Sequence, residues 1–147
     1  MAFSNYERFK WESMEHLAHR TSLGGPWYEV VRLASDPAEQ AKLVRRLVLE
    51  LFDDGLVFGT YAKYRDAYNL KWDEFRPVPR EVIESELASP SKDVPVEGDT
   101  EEIDWFWVFP TLEGERASLS QPADAFFTEY SRDDIERRRG LIATLSD

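Results

Sequence analysis

Cysteine is absent from this chain. That excludes disulfides, thiolate catalysis and cysteine-ligated zinc, and it fits a reducing cytoplasm, the expected location. Histidine is scarce: only His16 and His19 occur in 147 residues. No apolar run approaches the roughly 18 residues of a membrane-crossing helix. The longest, Trp105 to Phe109, is the length of a buried strand, so a soluble protein with no membrane partner is expected. The N-terminal stretch MAFSNYERFKWES carries charge from Glu7 onward and has no apolar core, so no secretory signal is expected there.

Catalytic signatures are equally sparse. No serine sits in a Gly-x-Ser-x-Gly elbow, and only two histidines could act as a base. Gly24-Gly25 is followed by proline rather than by Lys-Ser/Thr, so it is no phosphate cradle. Asp93 to Asp104 lacks the alternating ligands and closing Glu of a calcium loop. No motif implies a cofactor, and a non-enzymatic protein is expected.

What the chain does contain is acid and aromatic mass. It carries 29 Asp and Glu against 18 Lys and Arg, a formal net charge of −11, and five Trp with nine Phe argue for a heavy aromatic core. A chain of this length buries roughly 70% of the surface its unfolded form exposes. The charge is concentrated. Between Glu81 and Glu115 eleven acids face one base, Lys92, which is −10 in 35 residues.

Helix and strand signals are clearest in the middle of the chain. Asp36 is placed to cap a helix with Pro37 at its first position and Glu39 three residues after the cap. Leu43, Val44, Leu47, Val48, Leu51 and Phe52 form its apolar stripe, and Gly55 is suited to the left-handed C′ position. Leu56 to Tyr61 then reads as a strand, Trp105 to Phe109 as a strand covered on both faces, and Thr111 as the cap of a helix through Leu119. Earlier, Ser4 and Glu7 form a capping box for a helix to Arg20, with Tyr6, Phe9, Met14, Leu17 and Ala18 on its apolar face. Gly24-Gly25-Pro26 breaks the chain, and Trp27 to Ala34 restarts at helical spacing. Pro79 opens a short helix through Leu87 with Val82, Ile83 and Leu87 inward, Ser89 to Asp104 has loop composition, and Ser131 caps a last helix.

The order helix, helix, helix, strand, strand, helix resembles the winged helix-turn-helix superfamily. Leu47 to Val57 (LVLELFDDGLV) and Val108 to Ala117 (VFPTLEGERA) carry the likeness, over about half the chain. The resemblance implies a single α+β domain, mainly helical. Its winged-helix-like core is expected at about 4–61 and 105–119, an elaborated acidic wing insertion at about 62–104, and extra terminal helices, with a C-terminal helical segment at 120–147. The expected buried centre is Leu47, Leu51, Phe52, Leu56, Phe58, Trp105, Trp107 and Leu112.

Carried over to this chain, the resemblance makes helix 37–53 a recognition helix offering Lys42, Arg45 and Arg46 to a major groove, in a transcriptional regulator dimerising through its terminal helices. The wing departs from the pattern, since more than 40 residues separate its strands and their second half is acidic. Duplex DNA carries one negative charge per roughly 1.7 Å of axis and repels such a wing. The expected partner is therefore another protein with a basic surface, met by Glu97, Asp99, Glu101, Glu102, Asp104 and Trp72, as in an adaptor or an acidic, immunity-like inhibitor; nucleic acid is the alternative, and a homodimer is compatible with both.

One further constellation stands out. Glu12, Glu15, His16 and His19 can share a face of the first helix. Glu12 with His16, or His16 with His19, makes half a metal site that would need carboxylates from elsewhere, and solvated Glu–His pairing is the simpler expectation.

Overall fold

The computed structural model describes residues 3–18, 24–70, 74–88 and 104–127. Within them the chain runs α1 (Asn5–Ala18), α2 (Gly24–Val30), α3 (Pro37–Asp53), β1 (Val57–Lys63), α4 (Tyr64–Asn69), α5 (Arg80–Ala88), β2 (Asp104–Pro110) and α6 (Leu112–Leu119), then a 3₁₀ turn at Ala123–Ala125. This is a mainly helical α+β arrangement with one two-stranded sheet. Among the described residues no helix is long and apolar enough to cross a membrane.

The caps form as the side-chain chemistry dictates. Ser4 Oγ accepts from the Glu7 N–H at 3.1 Å while Glu7 Oε2 accepts from the Ser4 N–H at 3.3 Å, a reciprocal capping box. Asp36 accepts from the Glu39 N–H at 3.2 Å, and Pro37 starts α3. Four residues of the α3 stripe, Val44, Leu47, Val48 and Leu51, are wholly buried, with Leu43 and Phe52 at its half-buried margin. Gly55 turns the chain out of the helix at φ +74°, which a side chain tolerates poorly.

β1 and β2 pair antiparallel from Val57↔Pro110 to Lys63↔Asp104. Residues alternate across the ribbon. Val57 and Val108 face the main core, built by α1, α2, α3 and α5. Ala62, Trp107 and Phe109 face a second core with Ala67 and Phe75, against which Phe58 packs. Both faces of β2 are thus covered, as its continuous apolarity predicts. Trp107 is wholly buried and donates Nε1–H to the Ala62 carbonyl at 2.9 Å.

The stretch between the strands is packed onto the fold where it is described. Ile83 and Leu87 of α5 enter the main core, and Arg80 donates to both oxygens of Asp53 at 2.9 and 3.1 Å. The Val78 N–H bonds the Gly59 carbonyl at 2.8 Å and Thr60 bridges Pro77, which covers the outer edge of β1. Residues 89–103 and the Ser131 helix lie outside the described residues.

Three expectations are corrected. α2 does not run from Trp27 to Ala34: it begins at Gly24, with Pro26 in the first turn, where an N–H is not needed. It ends at Val30 in a turn closed by the Glu29 and Val30 carbonyls, so Val31 is exposed. Of the expected buried centre, Leu47, Leu51 and Trp107 are buried, Phe52, Leu56, Phe58 and Trp105 are half-buried at its margin, and Leu112 lies outside it; α6 buries Gly114, Glu115, Ser118 and Leu119, and that register turns Leu112 outward, 39% exposed. Glu12 and Glu15 are not solvated. They are buried with Phe9, Trp11, Ser13, Met14 and Leu17, because α1 is enclosed by α2, α6 and β2 rather than lying on one face of the core.

Candidate functional site

Of the residues expected to meet a basic partner, Asp104 is described. It opens β2, is exposed and stands opposite Lys63. Glu97, Asp99, Glu101, Glu102 and Trp72 lie outside the described residues, as does His19. Elsewhere in the acidic segment Glu81 is exposed and most of the other described carboxylates are locally engaged. Glu84 pairs with Arg80, Glu86 accepts from the Tyr61 hydroxyl at 2.5 Å, Glu113 pairs with Arg116 at 3.4 Å, and Glu115 is buried.

The basic face of α3 is similarly occupied. Lys42 pairs with Glu39 at 3.4 Å and Arg46 with Glu50 at 2.9 Å. The Arg46 guanidinium also lies 4.3 Å from the centre of the Tyr6 ring, and Tyr6 donates its hydroxyl hydrogen to Glu50 at 2.7 Å. Burial pushes the Glu50 carboxyl up, but the hydrogen bonds from Tyr6 and Arg46 outweigh it and hold the group below its ordinary range. Burial and the same carboxylate drive the Tyr6 hydroxyl well above a normal phenol. Arg45 is exposed and has no partner among the described residues.

The most developed polar site joins α1 to α2. Glu12 and His16 stand one helical turn apart on α1, and Glu29 reaches them from α2. One ligand-type atom from each lies within 4.8 Å of the others. His16 Nε2 is 3.0 Å from Glu29 Oε1, and Glu29 Oε2 accepts from Arg32 Nε at 2.7 Å. Both carboxylates are inside, Glu12 at 1% and Glu29 at 2% exposure, while the His16 side chain keeps 31%. The His16 and Tyr28 rings make a T-shaped contact, Tyr28 itself is largely exposed, and Arg32 lies over Phe127 at 4.9 Å.

Glu12 and His16, weighed in the sequence as half of a metal site, are thus joined by a carboxylate from a different helix. Glu29 escapes a sequence reading because it sits between Trp27 and Val30 in a segment whose inward positions are judged by apolar spacing. Its one local signal is Arg32 at i+3, an ordinary surface pairing.

Comparison with protein-family models, with curated proteins and with solved structures finds no match.

Proposed function

We propose that this chain is a non-enzymatic protein-interaction module, an adaptor or acidic inhibitor on a winged-helix-like scaffold, that binds a protein with a basic surface. The observation that carries this reading is the internal pairing of α3. Lys42 and Arg46, two of the three cations a recognition helix would offer, each stand beside an acid of the same helix, which lowers the net positive charge that face presents. Phosphate binding gains its free energy by releasing counterions from cations free to neutralise phosphate. The chain instead carries an uncompensated −11, with −10 of it between Glu81 and Glu115. Local pairs leave that excess in place, so the long-range field favours a cationic partner. The scaffold reading rests on element order and on the in-register pairing of β1 with β2.

Association with such a partner is electrostatically steered, so its on-rate falls steeply as salt rises. Changing Glu97, Asp99, Glu101 and Glu102 to Lys should abolish that salt dependence and the capture of the partner in a pull-down, with thermal stability nearly unchanged. The exposed Arg45 keeps the regulator reading as the alternative. Retention of duplex DNA at physiological salt, lost on combining Arg45→Ala with Arg46→Ala, would overturn the protein-partner reading in its favour.

A further inference from the structure

We propose that Glu12, His16 and Glu29 form a binding site for a divalent transition-metal ion of the Zn²⁺ class, tying α1 to α2. The donor set carries the assignment. One imidazole nitrogen and two carboxylate oxygens lie within 4.8 Å of one another. A tetrahedral ion bonded at about 2.0–2.2 Å places its ligand atoms roughly 3.3–3.6 Å apart. His16 Nε2 and Glu29 Oε1, 3.0 Å apart, already approach that separation, and Glu12 closes the triangle from the same helical face. The mixed nitrogen and oxygen set favours a transition ion over Mg²⁺ or Ca²⁺, which take oxygen cages.

The surroundings fit a cation. Two carboxylates, 1% and 2% exposed, converge where like charges repel strongly unless a cation or a proton lies between them. Arg32 holds Glu29 Oε2 at 2.7 Å, which orients Oε1 toward His16 and leaves it as the ligating atom, the usual duty of an outer-shell partner. The ion takes the place of the proton between Nε2 and Oε1, and Nδ1 keeps the hydrogen of the ring. His16 is the partly exposed member, so its side of the triangle is the entry path and the place for a water as fourth ligand. The competing role is an ion-pair network in which Arg32 and a protonated His16 hold Glu29 with no metal, and it predicts the opposite result.

The test is titration of the chelator-treated full chain with Zn²⁺ and, separately, with Co²⁺. One equivalent should bind, raise the melting midpoint and, for Co²⁺, give visible absorption bands that excess Mg²⁺ leaves unchanged. Glu29→Gln and His16→Asn should each weaken Zn²⁺ at least about tenfold, whereas His19→Asn should not. Should either ligand variant fail to fold, the wild type still decides. Zn²⁺ must shift the His16 ring nitrogens in a spectrum of histidine-labelled protein and leave those of His19 in place. No saturable binding, affinity unchanged in Glu29→Gln, an unmoved His16, or equal competition by Mg²⁺ would each overturn the site.

Discussion

Gly114 is the position where one added carbon should cost most. It lies in the first turn of α6, directly over the joint between α3 and β1. A Cβ built there falls 1.9 Å from the Leu56 carbonyl oxygen and 2.8 Å from its carbon, against an ordinary non-bonded separation of roughly 3.5 Å. The obstacle is backbone, and it is pinned. The Leu56 carbonyl accepts from the Thr111 N–H at 2.9 Å, while the Thr111 hydroxyl donates to the Gly55 carbonyl at 2.7 Å and accepts from the Gly114 N–H at 3.0 Å. Relief requires α6 to lift by about an ångström or more, with loss of at least one of these bonds. A clash this close with pinned backbone puts overpacking at or above the upper end of its usual range, about 2–4 kcal/mol, while a lost hydrogen bond, about 1, is offset by the gain in helix propensity from Gly to Ala, also about 1. Gly114→Ala should therefore destabilise by about 2–4 kcal/mol, lowering the melting midpoint by roughly 4–16 °C in a domain of this size. Circular dichroism on heating, with tryptophan emission in urea, reads both quantities. Gly55→Ala is the comparison: its Cβ meets nothing within 4 Å, and its cost is the left-handed φ of +74° alone, about 1–2 kcal/mol. A Gly114→Ala protein as stable as the wild type, or less affected than Gly55→Ala, would refute the close approach of α6.

Three further outcomes follow from particular side chains. Trp107→Phe removes the Nε1–H bond to the Ala62 carbonyl and part of a wholly buried ring, and should cost about 1–3 kcal/mol in urea unfolding. Ser118 Oγ is buried with no hydrogen-bond partner among the described residues, so Ser118→Ala should raise stability by up to about 1 kcal/mol in the same assay. The hydrogen bond to Glu86, followed by burial, pushes the Tyr61 hydroxyl up to about 12 from 10.0. A folded pKa above the unfolded one contributes stability that is fully present below pH 10.0 and is lost as pH rises through about 12. Tyr61→Phe should flatten the alkaline fall of stability across that window and lose the same contribution at neutral pH, a loss kept small because Tyr61 is 44% exposed.

Much of the fold was legible from local chemistry. Asp36, Pro37 and Gly55 bound α3 because a cap, a fixed φ and a left-handed turn each need only their immediate neighbours. The apolar stripe of α3, the strand at Trp105 to Phe109 and the Thr111 cap are local in the same sense. The six-residue α4 was not legible, since Tyr64 to Asn69 has no cap side chain and no apolar period to announce it.

The candidate site is where local signals ran out. Glu12, Glu15 and His16 share a helical face by arithmetic alone, and solvent is the default expectation for charged groups on such a face. That α1 is enclosed, and that Glu29 meets Glu12 and His16 from α2, depends on how two helices pack, which no spacing within either one encodes. The same holds for Leu112, turned outward by the register of α6, and for Gly114, whose missing side chain is needed only because the Leu56 carbonyl comes so near. The sequence by itself determined where elements start, stop and which residues each could bury; tertiary structure decided which charged groups were taken inside and brought together, because burial is a property of neighbours that lie far apart along the chain.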